Sequence, residues 1–205
     1  MPLLTTLKAR SIGRAFAAGL LAAPLVLASA QAAQAAQTYT LDSAHADVVF
    51  LVDHFGYSAT IGRIGDVQGS ITFDEAAVEN SAVEIVMQAA SLDTNHAERD
   101  KHLRSAEFFN VEQFPTITFT STGIAKTGDK TGTLTGDLTL LGVTKPVTLD
   151  VTFNLKSPHP IYQGKETVGF SARGSLKRTD FGMATYAPAI GDEVELIIEV
   201  EAIEP

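Results

Sequence analysis

The side chains best suited to chemistry are five histidines, and their spacing argues against a metal or catalytic centre. His96 and His102 are six residues apart, whereas a zinc-binding helix places two histidines four apart on one face. Asp42 and Asp47 lie close to His45 in the sequence, but nothing in their spacing identifies an acid and base pair. We therefore expect satisfied or surface side chains here, with no metal and no cofactor.

Other catalytic signatures are also missing from the sequence. The segment "GFSARG" (169–174) comes closest to a nucleophile elbow, but it falls within a strand pattern and its second glycine is misplaced. The chain has no cysteine and no glycine loop of the kind that holds phosphate. The sequence thus gives little support to an enzyme.

Most of the chain alternates apolar and polar residues, which is typical of strands with one buried face. In "VTLDVTFNL" (147–155) the valines, leucines and Phe153 share one face and the polar residues share the other. The pattern recurs near 46–54, 67–73, 82–90, 116–122, 133–141, 168–176 and 194–202, with a short extra strand at 38–41. This predicts an all-β fold of eight antiparallel strands, in a barrel or a sandwich.

Two segments interrupt the alternation. The glycine-bounded stretch 54–65 predicts a turn or short helix. The second, 97–109, predicts a helix capped near Asn95, in which Leu103, Ala106 and Phe109 form a narrow apolar stripe towards the sheet. This helix ends at Phe108 and Phe109 directly before a strand, so we expect it to cover one end of the sheet as a lid.

The first 36 residues have the order of a secretory signal peptide. Lys8, Arg10 and Arg14 precede an apolar run of about 14 residues, and small residues follow it. That run is shorter than the roughly 20 residues needed to span a bilayer. We expect cleavage between residues 30 and 36, which leaves a single domain at 37–205 in the periplasm, or alternatively a secreted one.

The expected mature chain is strongly acidic. The full sequence carries a formal net charge of −9, and removal of three basic residues changes it to −12. Such a surface repels phosphate backbones, so we do not expect nucleic acid as a partner. No later stretch is long and apolar enough to span a membrane.

Phenylalanines on the apolar faces raise the question of what fills the interior. An eight-stranded barrel is just wide enough either to be filled by side chains or to hold one small ligand. Periodicity does not choose between these two interiors.

Three stretches resemble the YceI-like family of exported bacterial proteins: "TNHAERDKHLRSAEFFNVEQFPTITFTS", "GDLTLLGVTKPVTLDVTF" and "RTDFGM…IGDEVELIIEVEA". The similarity extends from about Tyr39 to Ala202. It implies a lipocalin-like, eight-stranded antiparallel β-barrel with a helical segment over one end. It also implies non-catalytic binding of a long isoprenoid or similar amphiphile inside the barrel, and the occurrence of homodimers.

On this interpretation, apolar side chains contact an isoprenoid-type lipid or quinone, and polar ones at the mouth select its head group. The apolar candidates are Phe50, Val52, Phe73, Phe108, Phe109, Phe119, Phe153, Phe170 and Phe181. The mouth candidates are Arg63, His102, Arg104, Arg178 and Asp180, each of which is as readily explained as part of a surface ion pair.

Two other functions remain open at this point. A filled barrel would make the protein a structural or stress-response module that contacts another protein through its surface. An enzyme acting on a lipid would need an acid and base inside the barrel, where the inward positions are nearly all apolar.

Overall fold

The computed structural model describes residues 1–3 and 36–205. The strands are β1 (Gln37–His54), β2 (Ser58–Ile64), β3 (Val67–Phe73), β4 (Ala82–Gln88), β5 (Leu92–Asp93), β6 (Thr116–Lys126), β7 (Thr131–Leu140), β8 (Val143–Pro158), β9 (Glu166–Lys177) and β10 (Ile190–Ile203). One α-helix, α1, extends from Ala97 to Arg104. The predicted signal peptide and its cleavage sites fall almost wholly on 4–35, outside the described residues.

Eight of these strands form a closed antiparallel barrel, as predicted. Their order around the barrel is β10-β9-β8-β7-β6-β4-β3-β1, and β1 pairs with β10 to close it. Closure leaves each of these strands paired on both sides over part of its length, so the barrel has no long open edge. Within the described residues, no helix is long and apolar enough to cross a membrane.

On the side away from β10, the long strand β1 pairs with two different strands. Residues 37–40 pair with β3, and residues 48–54 pair with β2, which in turn pairs with the short β5. The prediction of a turn or helix over 54–65 is therefore wrong for 58–64, which is strand. Gly62 occupies an inward position of β2 without a side chain, so the apolar alternation was hidden there.

The predicted helix exists but is shorter than 97–109. Its N-cap is His96 rather than Asn95, because the imidazole Nδ1 accepts the Arg99 N–H at 3.2 Å. After Arg104 the chain turns, and the Phe109 N–H donates to the Leu103 carbonyl at 2.9 Å. Phe108 and Phe109 thus lie on a turn that folds back against the helix end.

The barrel has two distinguishable ends. The end that carries α1, the β1–β2 turn at 55–57 and the loop 182–190 is called the α1 end. The opposite end carries the β6–β7 turn at 127–130 and is called the hairpin end. Strand β6 connects them, and its 11 residues span about 33 Å, or about 25 Å along the barrel axis after tilt. The interior is therefore roughly 25 Å long.

Candidate functional site

The barrel encloses a cavity of about 1040 Å³ whose wall is almost entirely apolar. Small-molecule pockets typically measure about 300–1,000 Å³, so this one is at the upper limit of that class. Every barrel strand contributes inward side chains, from Val48 on β1 to Val200 on β10. The protein's own side chains leave this space open, which contradicts the alternative of a filled barrel.

Glycines explain how a barrel rich in phenylalanine stays hollow. Gly62 pairs in register with Phe50 on the adjacent strand, and a Cβ placed on Gly62 would lie 2.1 Å from the Phe50 Cζ. The ring therefore lies along the wall, over the backbone of the glycine. A larger residue at this position would push the ring into the lumen.

The same arrangement recurs on the other side of the barrel. A Cβ on Gly136 of β7 would lie 2.3 Å from the Phe119 Cζ, and one on Gly174 of β9 would lie 2.7 Å from a Leu149 methyl group. Phe119 and Leu149 both line the cavity. Inward glycines and large apolar neighbours thus keep the lumen wide.

Most of the predicted apolar residues lie on the cavity wall. Those that line it are Phe50, Val52, Phe73, Phe108, Phe109, Phe119, Phe153 and Phe170. Near the hairpin end, Phe73 packs against Phe153 and Phe170 with ring centroids 5.2 and 5.3 Å away. Phe181 is not on the wall: it lies in a short 3₁₀ helix and is buried elsewhere in the core, only 2% exposed.

Side chains from the helix and the turn after it contribute to the α1 end of the cavity. Phe108 is buried there, and its ring meets those of His102 and Tyr186 at centroid distances of 5.0 and 6.2 Å. The turn at 105–109, which follows α1, is called the lid turn. The Thr185 hydroxyl donates to the Glu107 carbonyl at 2.7 Å, which connects the loop 182–190 to the lid turn. The lid is therefore attached to the rim by both packing and a hydrogen bond.

The predicted polar mouth residues separate into different environments. His102 lines the cavity and lies 2.8 Å from a Glu107 carboxylate oxygen. Arg104 instead donates to the carbonyls of Ala90 and Leu92 and is not on the wall.

Two of the remaining candidates, Arg63 and Asp180, are not at the mouth. Arg63 points outwards and lies 3.6 Å from Asp47, which matches the surface-pair alternative. Asp180 is exposed and does not line the cavity. Neither is placed to meet a ligand inside the barrel.

Arg178 lines the cavity but its hydrogen bonds fix the adjacent loop. Its guanidinium donates four hydrogen bonds of 2.7–2.9 Å to the backbone carbonyls of Gly191, Met183, Thr185 and Ile190. The side chain is buried, and burial lowers the pKa of Arg178 from its ordinary value, although nearby Asp192 opposes the shift. Arg178 thus holds the loop 182–190 in place beside the lid.

Sequence reasoning missed the polar groups of the hairpin end. Glu75, Lys126 and Lys130 all reach the cavity there. The Lys130 ammonium donates to the Asn154 carbonyl at 3.1 Å and lies 5.8 Å from the centre of the Phe153 ring. The turn Thr127-Gly128-Asp129 was the available signal, since residues that flank a hairpin turn lie at the rim of a barrel.

A family model described as the YceI-like domain matches residues 39–202. The chain belongs to this family. The protein named Protein YceI from Salmonella arizonae is 44% identical over 186 residues, which cover 91% of this chain and 96% of that protein.

Solved structures agree with this assignment to the YceI-like family. A YCEI protein from Campylobacter jejuni, solved as a mutant for nanotechnology applications, is 37% identical with a TM-score of 0.68, covering 82% of this chain and 98% of that one. BcnA from Burkholderia cenocepacia has a TM-score of 0.72 at 23% identity, covering 79% and 99%. A polyisoprenoid binding domain from Saccharophagus degradans has a TM-score of 0.58 at 16% identity, covering 82% and 98%. The last two similarities establish the fold alone.

Proposed function

We propose that this YceI-like protein binds a long-chain isoprenoid-type lipid or quinone inside its barrel, without catalysis, to carry or sequester it in the periplasm. The observation that carries the proposal is the long apolar cavity of about 1040 Å³. The domain of the same fold from Saccharophagus degradans is described as a polyisoprenoid binding domain, and this description motivates the choice of ligand class.

The energetics favour an extended hydrocarbon. Each methylene group moved from water into an apolar cavity contributes about 0.8 kcal/mol. Between the two ends, the wall consists mainly of Phe, Leu, Ile and Val side chains, so affinity should increase with chain length until the roughly 25 Å of barrel is filled. Such binding depends on buried area and by itself discriminates little between head groups.

Polar side chains at the two ends of the cavity would select the head group of the ligand. His102, with Glu98 and Arg99 of the same helix, lies at the α1 end, and Lys126 and Lys130 lie at the hairpin end. A polar head at either end would keep its hydration while its tail fills the middle. The lid turn with Phe108 and Phe109 would then slow release of the tail.

Extraction of the purified protein with organic solvent, followed by mass spectrometry, tests the proposal. We expect a long-chain lipid with repeating five-carbon units at close to one molecule per chain. Protein that yields no lipid, and that takes none up when mixed with a quinone or isoprenoid alcohol, would contradict it.

A further inference from the structure

We propose that a bulge in β1 and the facing residue of β10 form a binding site for Zn²⁺ on the outside of the barrel. The ligand atoms are the Asp42 Oδ2, the His45 Nδ1 and a Glu201 carboxylate oxygen. The site is separate from the lipid cavity.

The backbone brings these residues together across the seam that closes the barrel. Leu41 pairs with Ala202 and Ala46 pairs with Val200, so residues 42–45 of β1 bulge out opposite Glu201. The Ala44 N–H donates to the Asp42 Oδ1 at 3.0 Å, which tightens the bulge and turns Asp42 and His45 towards each other. Bulges of this kind commonly redirect side chains into sites.

The ligand atoms are close to a metal-binding arrangement. The His45 Nδ1 lies 2.8 Å from the Asp42 Oδ2, and the three ligand atoms all lie within 4.8 Å of one another. Zn²⁺ bound tetrahedrally at its usual ligand distances separates two ligands by about 3.3 Å. The His45–Asp42 hydrogen bond must therefore open by about 0.5 Å, with the His45 Nδ1 in its unprotonated form, and the widest pair of ligand atoms must close by up to about 1.5 Å. Half-exposed His45 leaves the fourth position open to water.

Two neighbouring side chains, Tyr162 and His159, lie beside the carboxylates, and Tyr162 is hydrogen-bonded to one of them. The Tyr162 hydroxyl donates to the Asp42 Oδ2 at 2.9 Å, and the His159 ring stacks on Tyr162 with centroids 4.3 Å apart. The His159 Nδ1 accepts the N–H groups of Ile161 and Tyr162, so its protonated Nε2 is the atom that faces Glu201, at 3.9 Å. At this distance His159 makes no hydrogen bond to Glu201, so the supporting hydrogen bond at the site is the one from Tyr162 to Asp42, of the kind that residues around metal ligands commonly supply.

The donor set favours Zn²⁺ over the alkaline-earth ions. One imidazole nitrogen with two carboxylates is the mixture that Zn²⁺ accepts, whereas Mg²⁺ prefers oxygen ligands in near-octahedral geometry. A bound ion would join the first strand of the barrel to the last. It should therefore stabilise the closed barrel in proportion to its concentration.

Calorimetric titration of ZnCl₂ into the untagged protein tests the site, with a thermal melt as the second readout. We expect one Zn²⁺ per chain and no comparable binding of Mg²⁺. At about 100 times Kd, the melting temperature should rise by roughly 5–10 °C.

Single variants identify the ligands. D42N, H45Q and E201Q should each weaken Zn²⁺ binding at least tenfold, and Y162F should weaken it by about tenfold through the loss of a supporting hydrogen bond. H102Q is the matched control for Zn²⁺ binding, since the His102 Nε2 and a Glu107 oxygen have the same 2.8 Å separation at the rim of the cavity, away from the bulge. Absence of saturable Zn²⁺ binding, equal binding of Mg²⁺, or the same loss in H102Q as in the three ligand variants would each overturn the assignment.

Discussion

Replacement of Gly62 with alanine tests whether glycines keep the lumen open. The new Cβ would lie 2.1 Å from the Phe50 Cζ and 2.7 Å from both Cε atoms, with no other atom among its three nearest contacts. Ordinary contact begins at 3.4 Å, so the ring tip must move by at least 3.4 − 2.1 = 1.3 Å. Since the backbone lies behind it, the ring can move only towards the cavity.

The expected cost of G62A is that of overpacking, about 1–3 kcal/mol in the free energy of unfolding. A ring displaced into the lumen also occupies space meant for ligand. If it excludes about two methylene groups, binding weakens by about 1.6 kcal/mol, roughly a factor of ten in Kd. Urea unfolding measures the first quantity and titration of a fluorescent isoprenoid measures the second.

The variant F50L supplies the control because leucine lacks the three ring atoms that meet the new Cβ. In the F50L background, G62A should cost less than about 0.5 kcal/mol, so the two substitutions should couple by at least about 0.5 kcal/mol and by as much as about 2.5 kcal/mol. An equal cost of G62A in both backgrounds would refute the idea that Gly62 accommodates the Phe50 ring.

Three further predictions concern the lid, the loop beside it and the response to acid. Exchange of Phe108 and Phe109 together for alanine should accelerate isoprenoid release at least tenfold in a stopped-flow transfer assay, whereas the melting temperature should fall only slightly. A parallel loss of ligand retention and of stability would mean that the two rings are simply core. R178M should destabilise the fold by about 3–5 kcal/mol in urea unfolding, because four carbonyls lose their donor, and R178K by less; equal, small effects would contradict the loop-holding role. The pKa of Asp74 is lowered by hydrogen bonds from the backbone N–H groups of Ala77 and Ala76 and from the Asn80 amide. Its contribution to stability is therefore present above the unfolded pKa of about 3.9 and is lost as pH falls through the lower folded pKa. Unfolding free energies at pH 7 and pH 3 should therefore differ less in D74N than in the wild type, and equal differences in the two proteins would contradict this role of Asp74.

The sequence predicted the eight strands because alternation is a local property, but alternation left both a barrel and a sandwich open, and the family resemblance favoured the barrel. Phe153 and its neighbours could be assigned to one face by counting residues, and the strands of the barrel all follow from such counts. Strand β2 escaped prediction because an inward glycine, Gly62, interrupts the apolar pattern. The helix was predicted too long because the turn carrying Phe108 and Phe109 continues its apolar stripe without its hydrogen bonds.

The open cavity and the proposed Zn²⁺ site depend on contacts that residue spacing in the sequence does not reveal. Whether the barrel is hollow depends on which residue faces Phe50 and Phe119 across neighbouring strands, and register is not visible in one chain. His45 and Glu201 are 156 residues apart and meet only because the first and last strands close the barrel. Arg178 looked like a mouth residue, whereas its hydrogen bonds go to a loop that the sequence left unassigned.

Native mass spectrometry of the intact, delipidated protein titrated with a long isoprenoid alcohol tests the central claim most directly. A hollow barrel should show the mass of the protein plus one ligand, with occupancy that rises with tail length and falls in G62A. A spectrum that retains only the ligand-free mass at saturating isoprenoid, or that adds several ligands without a limit, would contradict the assignment of the cavity as a lipid-binding site.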